Sequence, residues 1–191
     1  GDKRDIKNFR PISLLNVDCK LISKVLASRL KHVLATVISP EQTCGIPGRD
    51  IADNIHSLRD VVDLSENLDE SYIIAIDQEK AFDRVSHPFI INVLRKMNFG
   101  NNFITWINIL YSGLLSSVKV NGHLTPFFPV TRSVRQGDPL SSLLFVIVSQ
   151  TLNQLIKANP AITPIVINDD HKSLLYQHAD DATITVSNKQ S

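Results

Sequence analysis

Three aspartates stand where a fold alone gains little from them. Asp77 closes the apolar run Tyr72-Ile73-Ile74-Ala75-Ile76, and Asp180-Asp181 interrupt the stretches Ser173 to His178 and Thr183 to Ser187. Taken singly, an Asp at a strand end or a hairpin turn reads as a turn former. Together they point to chemistry. Successive strand residues face opposite sides, so one of Asp180 and Asp181 shares a face with Asp77 if the two elements are sheet neighbours. Clustered carboxylates repel one another unless a divalent cation neutralises them. Mg²⁺ suits such a set, because it takes hard oxygen ligands and is commonly shared between one or two carboxylates and substrate phosphates. The adjacent His178 is a poor ligand for that ion, which prefers oxygen to nitrogen.

The elements that must hold these acids follow from periodicity. Tyr72 to Ile76 predicts a short central, buried strand, and Asp180-Asp181 fall at the tip of a hairpin. Apolar residues at steps of three and four, from Val17, Leu21, Ile22, Val25 and Leu26 to Leu30, Val33, Leu34 and Val37, predict a long helix with that whole face in the core. Asn16 is its N-cap and Pro40 lies beyond its end. An extended piece, Asn8 to Leu14, precedes it. After the Gly/Pro loop Thr43 to Arg49, Asp50 caps a second helix with Ile51, Ile55, Leu58 and Val62 on its buried side. Two more helices are expected at about His87 to Phe99, stopped by Gly100, and about Asn102 to Leu115, carrying Trp106. Asn121-Gly122 between Ser117–Val120 and Leu124–Val130 predicts a hairpin. Pro139 opens an apolar helix to about Leu155, buried at Leu143 to Val148. Strand Ile165 to Asn168 and a polar turn at Asp169-Asp170-His171-Lys172 lead into the last hairpin.

Composition bounds the class. The chain has 191 residues, 43% hydrophobic and 20% charged, with a formal net charge of +1, which excludes a disordered tail or a fibre. The longest apolar run, Leu143 to Val148, is far short of the ~20 residues that span a bilayer, and no apolar signal segment follows Gly1-Asp2-Lys3-Arg4-Asp5. Cys19 and Cys44 are too few for a disulfide framework or a zinc site and read as packing residues of a reducing compartment. The small net charge conceals segments of opposite sign. Residues 1–50 hold nine Lys or Arg against five acids, 51–95 four against nine, and 96–191 seven against five. A basic segment beside an acidic one fits a positive groove next to a metal-collecting site, and equally fits solvated helix faces.

Five segments in order resemble the motifs of reverse transcriptases, nearest to the non-LTR (LINE-type) retrotransposon branch: Phe9-Arg10-Pro11-Ile12-Ser13-Leu14-Leu15-Asn16, Gly45-Ile46-Pro47-Gly48-Arg49, Ile76-Asp77-Gln78-Glu79-Lys80-Ala81-Phe82-Asp83-Arg84-Val85, Val134-Arg135-Gln136-Gly137-Asp138-Pro139-Leu140-Ser141 and Ala179-Asp180-Asp181. The resemblance implies an α+β fold, the fingers and palm of a right-hand polymerase with a small antiparallel palm sheet and no thumb. Fingers fall at about residues 1–70 and part of 85–130, and palm elements at about 71–84 and 131–191. It implies RNA-directed DNA polymerase activity, with two Mg²⁺ ions (Mn²⁺ as a substitute) on Asp77 and Asp180, Asp181 alongside, and the Gln78 carbonyl as a further donor. Arg10, Phe82, Gln136 and Gly137 would meet the incoming nucleotide, Phe82 as the ring that rejects a 2′-OH, or else as a core residue. Arg49 and Arg135 would contact nucleic-acid backbone. The implied partners are an RNA template, a DNA primer, dNTPs and the rest of a retroelement polyprotein with its endonuclease and thumb. The implied location is intracellular, in nucleus and cytoplasm, with no membrane association. Where the family usually has Tyr or Phe before Ala-Asp-Asp, this chain has His178. An inactive or domesticated nucleic-acid-binding remnant, and a group II intron- or telomerase-like polymerase, are the alternative readings.

Overall fold

Helix α1, Val17–Val37, starts after Asn16 in extended backbone, and α2, Ile51–Ser65, starts at a reciprocal cap. The Asp50 carboxylate accepts the Ala52 N–H at 2.9 Å and the Asp53 carboxylate accepts the Asp50 N–H at 2.9 Å, satisfying two N-terminal donors. Strand β1, Tyr72–Ile76, leads through the single turn α3, Ala81–Arg84, into α4, His87–Lys96, and α5, Asn101–Tyr111. Next come β2, Leu115–Ser116, β3, Lys119–Val120, β4, His123–Leu124, and β5, Phe128–Pro129. The chain continues with α6, Ser141–Ala158, then β6, Ile165–Asn168, β7, His171–Ser173, β8, Leu175–His178, and β9, Asp181–Val186. This computed structural model describes residues 2, 4–5, 8–65, 68, 70–168 and 171–188; Asp169 and Asp170 of the expected polar turn, and Gly1 and Lys3 of the polar start, lie outside them. Among the described residues no helix is long and apolar enough to cross a membrane.

The architecture is α+β, with helices packed against small antiparallel sheets. The sheet that carries the acids has the order β1-β9-β8, all antiparallel. Helix α6 supports it: Leu143 to Val148 are buried in a core shared with α1, α4 and α5, while Ile156, further along the same helix, packs under the sheet with Leu175, Ala182, Ile184 and Val186. One helix therefore belongs to both cores and ties the acid-bearing hairpin to the helical layer.

Several expectations are corrected. Strand β1 is an edge, not a centre, with Ile73 and Ile74 46% and 45% exposed. Only part of the apolar face of α1 is buried, at Leu26, Ala27, Leu30 and Leu34, whereas Val17, Leu21, Ile22, Val25 and Val33 are exposed; in α2 only Val61 is buried, and Ile51, Ile55 and Val62 face outward. Periodicity shows that a face can be buried, not what covers it. Helix α4 ends at Lys96 and is terminated through Asn98 rather than Gly100. Asn98 has φ +59°, and the bonds Phe99 N–H to Leu94 O and Asn98 N–H to Arg95 O close a Schellman motif, which frees Gly100 to be the N-cap of α5. Helix α5 ends at Tyr111, and Leu115, expected within it, begins β2. Helix α6 begins two residues after Pro139, because Asp138 builds the turn before it: its carboxylate accepts the Leu140 N–H and its carbonyl the Ser141 N–H. The Asn121-Gly122 hairpin is present, both residues at positive φ, although Lys119–Val120 and His123–Leu124 are shorter than predicted.

Candidate active site

The sheet register brings the acids to one end. The last partners of β1 and β9 are Ile76 and Ala182; Asp77 follows directly after β1, and Asp181, the first residue of β9, pairs with His178 on β8. The end of β1 therefore lies beside the start of β9, which brings Asp77 and Asp181 to the same end of the sheet. Asp180 sits in the two-residue turn with Ala179, whose φ is +56°. Among the described residues no Lys or Arg pairs with any of the three carboxylates, and no group of three His, Cys, Asp or Glu side chains closes on one point. Two adjacent unpaired carboxylates with open positions fit a Mg²⁺ ion that keeps waters and takes its remaining oxygens from substrate.

The turn is held from the side by the loop after α1. Gln42 forms a parallel bridge with Gln177, the Thr43 N–H donates to the Gln177 carbonyl at 3.0 Å, and the Gln177 N–H donates to the Glu41 carbonyl at 2.9 Å. The Thr43 hydroxyl lies 2.9 Å from His178 Nδ1, so the ring preceding the acids is anchored by its polar edge. Asn54 of α2 donates to the Gln177 carbonyl at 3.0 Å, and the Gln177 amide donates to Ser149 of α6 at 2.6 Å. Lys157 pairs with Glu41; burial pushes the Glu41 carboxyl up, but the Lys157 ammonium, with further hydrogen bonds, holds it below its ordinary value. Burial and the nearby Asp180 carboxylate push the Cys44 thiol up, so Cys44 stays protonated beside the site.

A second group assembles around Gly137. The Ser13 N–H donates to the Gln136 carbonyl at 2.9 Å, and Gly137 has φ +97°, where a Cβ would meet the Ser13 carbonyl at 3.4 Å. The positive φ favours glycine. Arg10, three residues before Ser13, is exposed. Segment 131–134 runs along α3 and the start of α4: the Val134 N–H donates to the Phe82 carbonyl at 2.9 Å, the Ser133 N–H to the Val85 carbonyl at 2.8 Å, and the His87 N–H to the Thr131 carbonyl at 3.3 Å. The Phe82 ring stacks on Phe145, centroids 4.4 Å apart, so it is partly core.

The two arginines expected on nucleic acid have partners within the protein. Arg49 donates to the carbonyls of Ala35, Ile38, Ser39 and Gln42, neutralising the C-terminus of α1. Arg135 bonds Asp138 at 2.9 Å, lies 4.9 Å from the Tyr111 ring centroid, and is nearly buried. The Gln78 carbonyl already accepts the Ala81 N–H at 3.2 Å. Sequence reasoning missed Gln42, Thr43, Asn54 and Gln177; the bonds that join the first three to the hairpin span over 100 residues, and no local pattern marks them.

Helices packed on small antiparallel sheets, with an acid-tipped hairpin beside an acid-ended strand, put this chain in the fold class of solved telomerase structures. An apo telomerase from Candida tropicalis truncated from its C-terminal domain matches 88% of the chain and 34% of that structure, with a TM-score of 0.58 and 19% identity. A Candida tropicalis telomerase with an RNA fragment gives a TM-score of 0.60 at 17% identity, over 88% of this chain and 28% of that one. The chain belongs to the reverse transcriptase (RNA-dependent DNA polymerase) family, whose model matches residues 2–191. Its relatives make it a LINE-type, non-LTR retrotransposon domain. It is 38% identical over 186 residues to the transposon TX1 uncharacterized 149 kDa protein of Xenopus laevis, covering 96% of this chain and 14% of that protein. It is 31% identical to the R2DM Pol polyprotein of Drosophila melanogaster, over 81% of this chain and 14% of that one. The chain thus spans about a seventh of the length of these relatives.

Proposed function

We propose that this chain carries the catalytic centre for RNA-templated DNA synthesis within a longer retroelement polypeptide. The observation that carries the reading is the register that sets Asp77 beside the Asp180-Asp181 turn, unpaired by any cation among the described residues. In this reading the β1-β9-β8 sheet, α3, the 131–140 segment and α6 are palm, and residues 1–70 with part of 85–130 are fingers. Asp77, Asp180 and Asp181 hold Mg²⁺. Bound there, such ions would supply charge neutralisation for phosphoryl transfer. The protein's part is positioning. Arg10, exposed three residues before the Ser13 that bonds Gln136, holds triphosphate oxygens with its fork of donors. Gly137 lets backbone approach the nucleotide. Arg49 and Arg135, expected at the nucleic-acid backbone, also bond within the fold, Arg49 to the carbonyls that end α1 and Arg135 to Asp138.

The test is primer extension on an RNA template with dNTPs and Mg²⁺, using this chain and a longer reading frame that contains it. Metal-dependent incorporation is expected from the longer polypeptide and little from 191 residues alone, because primer and template need further grip. RNA retention without incorporation in either would sink the polymerase reading and leave a nucleic-acid-binding domain.

Phe82 gives a separate prediction. Phe82→Val in the longer polypeptide should relax discrimination against rNTPs by about tenfold or more, the scale of one steric contact in a pocket. It should also cost roughly 1–3 kcal/mol of stability through lost stacking on Phe145. Unchanged sugar preference with the stability loss present would make Phe82 a core residue only.

A further inference from the structure

Ala179 is the residue of the acid-bearing turn whose backbone conformation is costly. Its φ of +56° lies in a region that is unfavourable for an L-residue other than glycine, and glycine is the usual occupant of such a hairpin position. Ala179 keeps that conformation against Gln42. The Ala179 N–H donates to Gln42 Oε1 at 3.0 Å, and Gln42 Nε2 donates back to the Ala179 carbonyl at 3.3 Å. The side-chain amide thus grips both polar groups of one peptide residue, as a neighbouring strand would. Its oxygen also accepts the Cys44 N–H at 3.0 Å, and two N–H groups aimed at one atom fix which end of the amide is oxygen. Gln42 is 1% exposed, so water does not compete. Its own carbonyl accepts a bond from Arg49 at 2.9 Å, which links the clamp to the end of α1. The residue after Ala179 is Asp180.

We infer that Gln42 is a positioning residue for the metal-binding carboxylates: it holds Ala179 left-handed and so sets the turn that presents Asp180 and Asp181 beside Asp77. This inference rests on the proposed reading of those acids as metal ligands. Removing a group that orients a ligand costs about 10- to 100-fold in metal affinity, without any contact between that group and the ion.

The experiment measures Mn²⁺ affinity of the full 191-residue chain by the electron paramagnetic resonance signal of free Mn²⁺, alongside hydrogen exchange at the Ala179 amide. Gln42→Met, similar in volume and without the three bonds, should weaken Mn²⁺ binding about 10- to 100-fold and unprotect that amide. Adding Ala179→Gly should recover much of the affinity, because glycine adopts positive φ without steric cost. A merely structural role predicts no such rescue, so affinity that stays low in the double variant overturns the inference, as does unchanged affinity in Gln42→Met. Should Gln42→Met lose its cooperative thermal transition, Ala179→Val carries the test with Gln42 intact. A β-branched residue is a poor occupant of positive φ, so the same loss is expected, and full Mn²⁺ affinity would overturn the clamp. Asp180→Asn separates the two layers: intact Mn²⁺ binding there removes the metal site itself and the inference with it.

Discussion

Asp77→Asn and Asp180→Asn, each made in the longer polypeptide, should lower metal-dependent dNTP incorporation at least about a thousandfold, equivalent to roughly 4 kcal/mol of barrier. Asn keeps the shape of Asp and one carbonyl oxygen but removes the charge that holds a divalent cation against water. Neither carboxylate pairs with a Lys or Arg among the described residues, and neither is buried, so the loss should appear in turnover rather than in folding. Glu79 is the internal control. It lies two residues beyond Asp77 and is 76% exposed, paired with Arg84 at 2.6 Å; exposed pairs contribute little, so Glu79→Gln should change incorporation by less than about twofold. Steady-state incorporation, compared with urea unfolding midpoints of the same proteins, separates the outcomes. Equal losses from all three substitutions would mean that general acidity of the segment matters, and the two named carboxylates would lose their assignment.

What was legible in the sequence follows the range of the interactions that fix each feature. The bounds of α1, the Asp50 cap, the Asn121-Gly122 turn and the acid-tipped hairpin were readable because each is decided within a few residues. The partnership of Asp77 with the hairpin was readable only as a condition, since the two are over 100 residues apart and sheet order is not a local property. Burial was less legible. The apolar pattern of β1 is what a central strand carries, yet β1 is an edge, and the continuous apolar face of α1 is covered only along Leu26, Ala27, Leu30 and Leu34. Least legible were polar groups inside the fold. Gln42, Gln150, Asn153 and Gln177 are buried, against the ordinary tendency of their types. Each is tolerated through partners in distant segments: Gln150 Oε1 accepts from the backbone and hydroxyl of Ser39, and Asn153 donates to the same hydroxyl. Arg135 shows the same limit. A cation next to Gln136-Gly137 reads naturally as a contact for nucleic acid until its acid partner, its ring and its burial are seen together.

That burial makes Asp138→Ala the largest stability effect expected in the chain, about 3–5 kcal/mol. The Asp138 side chain is fully buried and the Arg135 side chain 10% exposed. One carboxylate oxygen accepts from Arg135 at 2.9 Å and from the Ser23 hydroxyl of α1 at 3.2 Å, and the other accepts the Leu140 N–H at 2.9 Å. Removing it leaves a buried guanidinium whose Nε already has no partner, strips the turn that starts α6, and cuts the link to α1. A domain of this kind is stable by roughly 5–15 kcal/mol, so the variant should sit near its unfolding transition at physiological temperature. Adding Arg135→Met should return part of the loss, because a buried ion pair replaced on both sides costs less than one broken on a single side. Full recovery is not expected, since Ser23 and the Leu140 amide still lack their acceptor. Urea titrations of wild type, both single variants and the double variant give the coupling directly. A loss below about 1 kcal/mol for Asp138→Ala, or no recovery in the double variant, would mean that the buried pair contributes little to the stability of the fold.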